Sequence, residues 1–121
     1  MKSCSRTQRD PRAFLEDVRT RIGLVQSFVA GRTRVEFLRD QLLQSAVERE
    51  ISVIGEAVVR FVAMRPELEA RIRDCHKNIG LRNRLVHAYM LIDHDLLFDM
   101  VTASLDPLDE DARRLLEELG D

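Results

Sequence analysis

From Thr33 to Arg65 the chain has no proline, and apolar residues return at helical intervals: Leu38, Leu42, Ala46, Ile51, Ile54, Val58 and Phe61. That spacing places them along one side of a helix, whereas a strand would need alternation by twos. Thr33 and Glu36 form a Thr-x-x-Glu capping box that opens the helix, and Pro66 cannot continue it. The spacing therefore predicts one helix of roughly 30 residues. A helix that long in a chain of 121 residues can serve two contact surfaces, a bundle core and a partner.

The remaining segments read as helices packed around it. Asp10 is a good N-cap and Pro11 suits the first helical position. Phe14, Val18, Ile22, Val25 and Val29 then form an amphipathic stripe that stops at Gly31. A short helix is expected after Pro66, using Leu68, Ile72 and Cys75, with a junction near Gly80. Leu81 to Leu91 is helical in pattern. Asp93 starts a further helix with Leu96, Leu97, Met100 and Val101 facing inward. Asp106 and Pro107 repeat the cap-then-proline signal and open a last acidic helix through Leu119. No useful strand-like alternation, repeat or long linker appears. The expectation is a single all-α domain over residues 1–121, an up-and-down bundle of five or six helices. Residues 1–9 are expected to be flexible, and residues 106–121 to form the acidic C-terminal helix. With five Phe, one Tyr and no Trp, the core must rest on Leu, Val, Ile and Ala.

Charge and cysteine usage narrow the function. The net charge is −2, so the chain as a whole does not attract nucleic acid. Residues 1–39 nevertheless carry nine Arg or Lys against four acids, and residues 106–121 carry seven acids against two Arg. A locally basic surface can bind phosphates; solvated helix faces are the plainer reading. Two cysteines, Cys4 and Cys75, make no disulfide framework. No apolar run suits a membrane span or a signal peptide. A cytoplasmic protein with reduced thiols is expected. Phosphate loops, dinucleotide-binding glycines, Cys-x-x-Cys and His-Glu-x-x-His are all missing. His94 between Asp93 and Asp95, and the Cys75-His76 pair, could suggest a metal. Helix capping explains the first, and nothing else at ligand spacing joins the second. No metal and no cofactor are expected.

The segment that carries chemistry is Arg82-Asn83-Arg84-Leu85-Val86-His87-Ala88-Tyr89. It resembles the HEPN ribonuclease motif, Arg-polar-x-x-x-His, with Arg82, Asn83 and His87 in those places. Tyr89 two residues on gives the His-x-Tyr form of the HepT toxins. Ile79-Gly80, Leu91-Ile92-Asp93, Ile54-Gly55-Glu56-Ala57 and Asp10-Pro11 fit the same family, so the resemblance covers about residues 9–103. Asp74-Cys75-His76 stands where many relatives carry Pro-Trp-Arg, so packing or substrate contacts there are expected to differ.

The chemistry of these residue types agrees. Cleaving RNA without a metal requires the 2′-OH deprotonated, phosphate charge neutralised and the leaving 5′-oxygen protonated. His87 is the natural acid or base, its unperturbed pKa lying near 6.5. Arg82 can give two parallel hydrogen bonds to phosphate oxygens. Asn83, one turn before His87, can orient the imidazole. Yet five residues at about 100° each put Arg82 and His87 roughly 140° apart, so a single helix need not make a complete site. The resemblance implies a homodimer whose two motifs line one cleft. It also implies a metal-independent endoribonuclease toxin of a type VII-like toxin–antitoxin pair, cutting cellular RNA, with tRNA a candidate. Its antitoxin would be an MntA-like nucleotidyltransferase that AMPylates Tyr89. Added phosphates beside Arg82 would compete for the RNA phosphate site. A HEPN domain can alternatively be a non-catalytic RNA- or nucleotide-binding module beside a nucleotidyltransferase, or a purely structural helical dimer. Without the resemblance, His87 would read as a satisfied core histidine and Tyr89 as a helix-end ring with a wet hydroxyl. Glu56 has two readings left open. It pairs with Arg60 on a solvated face shared with Ser45, Arg49, Ser52 and Ala63, or it lies by the cleft and holds Arg82. Gly55 beside it is costly inside a helix, which favours close packing against another backbone.

Overall fold

The computed structural model describes residues 10–73, 75, 80 and 93–120. The expected helix from Leu81 to Leu91 and the expected flexible residues 1–9 lie outside them. Among the described residues every regular element is helical. α1 spans Pro11–Val29, α2 Arg34–Arg39 and α3 Gln41–Met64. A 3₁₀ turn follows over Pro66–Arg71. α4 covers His94–Asp99 and α5 covers Leu105–Leu119, joined by a π-helical turn over Met100–Ser104.

Local chemistry sets most of these boundaries. The Asp10 carboxylate accepts the Arg12 backbone N–H at 2.9 Å, and Pro11 opens α1. Gly31 follows its end at φ +76°, a conformation other residues reach only with strain. At α2 both halves of the capping box form: Glu36 N–H donates to Thr33 Oγ1 at 3.1 Å and Thr33 N–H to Glu36 Oε1 at 2.9 Å. Asp93 caps α4 by accepting the Leu96 N–H at 3.1 Å.

The long helix expected from Thr33 to Pro66 is instead two, broken at Asp40. This residue is extended (φ −112°, ψ 93°) and caps α3, its Oδ1 accepting the Leu43 N–H at 3.0 Å. That bond holds the Asp40 carboxyl below its ordinary range. The break turns Phe37 fully into the core. The Phe37 carbonyl is satisfied by the Asp40 N–H at 3.3 Å and by the buried Gln44 Nε2 at 3.0 Å. The apolar stripe shifts accordingly. Leu42 is 82% exposed and Leu38 also faces solvent, while Leu43 and Val47 are buried in their place.

The short helix expected after Pro66 is present as a 3₁₀ turn, with Ile72 and Cys75 buried beyond it. The last two helices differ from expectation. Leu96 is exposed, whereas Leu97, Met100 and Val101 face inward. α5 does not open at Asp106-Pro107 but continues from α4 through the widened turn. Pro107 has no N–H to donate, and in a regular helix its ring would strike the carbonyl four residues earlier. The π turn lies just ahead of it, and Thr102 Oγ1 donates to the Phe98 carbonyl at 2.8 Å within it. The core is then continuous: Val18, Ile22 and Val25 of α1 meet Val47, Ile51, Ile54, Val58 and Phe61 of α3, with Leu97, Val101, Leu105, Leu108 and Leu115 closing the other side. α1 packs chiefly on α3 and secondly on α5.

Candidate active site

The motif residues Arg82, Asn83, His87 and Tyr89 lie outside the described residues. What is described is the ground around them: the approach at residues 71–73 and 75, the exit at Asp93, and α3 with Glu56.

The approach is fastened to α5 by charge. Asp111 is buried at 7% exposure, and the Arg73 backbone N–H donates to its Oδ2 at 2.9 Å. The Arg73 guanidinium adds Nε and Nη2 bonds to the same carboxylate, at 2.9 to 3.1 Å, and reaches the Pro107 carbonyl at 3.2 Å. Arg71 grips Glu118 with both terminal nitrogens, which lowers the Glu118 carboxyl below its usual range. Next along the chain, burial pushes the Cys75 thiol up, so this cysteine stays a neutral core group.

The exit is fastened to α2 and α3. His94 Nε2 lies 2.8 Å from Glu48 Oε2, and its ring stands edge-on to Phe37 with centroids 6.4 Å apart. Arg34 bonds Asp95 at 3.1 Å and also Asp99, and lies 5.0 Å above the Phe98 ring. His94, considered above as a metal ligand, is thus a partner of Glu48. Among the described residues no cluster of three or more His, Cys, Asp or Glu could hold a metal ion.

Glu56 sits half-buried on α3 and accepts from Arg60 Nε at 2.8 Å. This is the i, i+4 pair of the solvated-face reading; Arg82, the partner in the other reading, is outside the described residues. Ser45, Arg49, Arg60 and Ala63 are exposed and Ser52 half-buried, so the stripe predicted to share a face with Glu56 does face outward. Gly55 beside it is buried.

Sequence reasoning missed the Arg73–Asp111 and His94–Glu48 contacts. The only signal for the first was an aspartate in the register of Leu108, Ala112 and Leu115, all buried. No described helix is long and apolar enough to cross a membrane.

Comparison with known proteins bears on the same region. The family model described as ribonuclease HepT-like matches residues 18–115, from within α1 to within α5, and includes the whole of 82–89. A Methanocaldococcus jannaschii protein with the provisional name RNase is 33% identical over 102 residues, covering 78% of this chain and 77% of that protein. A Thermococcus cleftensis protein named probable ribonuclease HepT is 30% identical over 105 residues, covering 84% and 91%. A Caldanaerobacter subterraneus protein, also provisionally named RNase, is 23% identical over 114 residues, covering 89% and 96%. No solved structure matches the chain.

Proposed function

Since this chain belongs to the HepT-like ribonuclease family, we propose that it is a metal-independent endoribonuclease working as a homodimer, the toxin of a toxin–antitoxin pair. The observation that carries the reading is the Arg82-Asn83-x-x-x-His87-x-Tyr89 motif inside the matched span. His87 takes the proton from the 2′-OH or delivers one to the departing 5′-oxygen. The 2′-oxygen attacks phosphorus, the bond to the 5′-oxygen breaks, and the products are a 2′,3′-cyclic phosphate and a 5′-OH. Arg82 pairs with the non-bridging oxygens as their charge grows. Asn83 orients the imidazole, and Glu56 supports the site from α3. Two copies related by a twofold axis bring two Arg82 and two His87 to one cleft, which concentrates positive charge. A partner nucleotidyltransferase silences the site by adding AMP to Tyr89, setting phosphates beside Arg82. Cellular RNA, tRNA among it, is the substrate class.

The test is cleavage of total RNA and tRNA in EDTA by wild type and His87→Ala at equal dimer concentration, with Tyr89 shown to be unmodified by mass. Cutting by wild type alone supports the reading. No cutting by either, with the dimer intact and Tyr89 bare, moves the assignment to a non-catalytic RNA- or nucleotide-binding module. DNA, lacking the 2′-OH, is expected to stay whole.

A further inference from the structure

Thirteen arginines lie among the described residues, and all but two are ion-paired to an acid within the chain. The exceptions are Arg39 and Arg49, both exposed. Arg39 has a local explanation, because it closes the last turn of α2, where a cation meets the negative end of the helix dipole. Arg49 has none. It sits in the middle of α3, and the positions three and four residues away on either side are Ser45, Ala46, Ser52 and Val53. Its two flanking acids are committed elsewhere: Glu48 to His94 at 2.8 Å, and the buried Glu50 to Arg21 at 3.1 Å. α3 therefore presents a full positive charge on an outward face, between two exposed or half-buried serines that can donate hydrogen bonds.

That face is also the face of Glu56. Seven residues at about 100° bring Arg49 to within about 20° of Glu56 around the helix, and roughly 10 Å from it along the axis. We propose that Arg49 is a phosphate contact for the RNA substrate, holding a backbone phosphate next along the strand from the one that is cut, with Ser45 and Ser52 as hydroxyl donors beside it. This rests on the ribonuclease reading and adds the path of the strand across α3. Of the two described cations on this face, Arg60 is already tied to Glu56, so Arg49 is the one whose charge is open to a ligand.

The experiment measures binding apart from cleavage. A labelled single-stranded RNA is titrated with the His87→Ala dimer over a salt series, followed by fluorescence anisotropy, and the titration is repeated with Arg49→Gln, Arg49→Lys and Arg39→Gln added in turn. Losing one phosphate contact is expected to weaken binding roughly fivefold at low salt and to flatten the slope of log K against log salt by about 0.7. Arg49→Lys is expected to restore the slope, and Arg39→Gln to leave it alone, with thermal midpoints matched throughout. Should Arg49→Gln fold poorly, Arg49→Met keeps the apolar stem and removes the charge. An unchanged slope in the Arg49→Gln dimer, or an equal fall in Arg39→Gln, overturns the proposal while RNA binding by the His87→Ala parent leaves the ribonuclease reading standing. No RNA binding by the folded parent dimer defeats that reading, and this proposal with it.

Discussion

Asp111 occupies a core register position, flanked by buried Leu108, Ala112 and Leu115, yet it is a carboxylate. It is tolerated because Arg73 supplies both a backbone N–H and a guanidinium fork. Asp111→Ala is expected to destabilise the protein by about 2 kcal/mol, read from the urea midpoint. The loss stays below that of a fully buried pair because the Arg73 side chain is 56% exposed and rehydrates. One residue earlier, Glu110 lies on the surface between Arg113 and Arg114, whose guanidiniums hold its carboxyl down to about 2. A depressed folded-state pKa means the unfolded chain binds the proton more readily. The stabilisation from Glu110 is therefore complete above its ordinary value of 4.5 and disappears as pH falls toward 2. Glu110→Gln is expected to flatten thermal stability across that window in low salt, and to change little in 1 M salt, where exposed pairs are screened.

Among the elements, α2 depends most on a single side chain. Of its six residues only Phe37 is buried, tilted against Phe98 with ring centroids 5.3 Å apart. Phe37→Ala is expected to cost about 3 to 5 kcal/mol, and amide exchange across α2 should rise more than across α1. A uniform rise over both helices would show that α2 is not a separable unit. The starts of α1, α2 and α4 were legible in the sequence because Asp10, Thr33 and Asp93 act on N–H groups within three residues of themselves. The break at Asp40 was not. Leu38 and Leu42 continue the apolar spacing across it, and what decides the break is the burial of Phe37 and the remote support of Gln44. The π turn was hidden for a similar reason. Pro107 resembles a helix opener, and only the continuity of Leu97, Val101, Leu105 and Leu108 in one core makes it an interior residue.

For the whole molecule, the all-helical architecture followed from apolar spacing alone, since every described element obeys a helical period. Of the candidate site, sequence gives the groups that lie close together in the chain: Arg82, Asn83, His87 and Tyr89 fall within eight residues. It does not give the contacts that fasten the described segments on either side, because Arg73 and Asp111 are 38 residues apart, and Glu48 and His94 are 46 apart. Periodicity carries no information on such pairs. The fastening also has a direction in time. Arg71 and Arg73 precede the motif, but the carboxylates that fasten them, Glu118 and Asp111, come after it. A ribosome makes the chain from its N-terminus, so residues 82–89 emerge before the groups that secure the approach to them. α1 likewise waits for α5, which closes one side of its core. Assembly thus waits until α5 has been made, and a product stalled before it carries the motif without these contacts beside it.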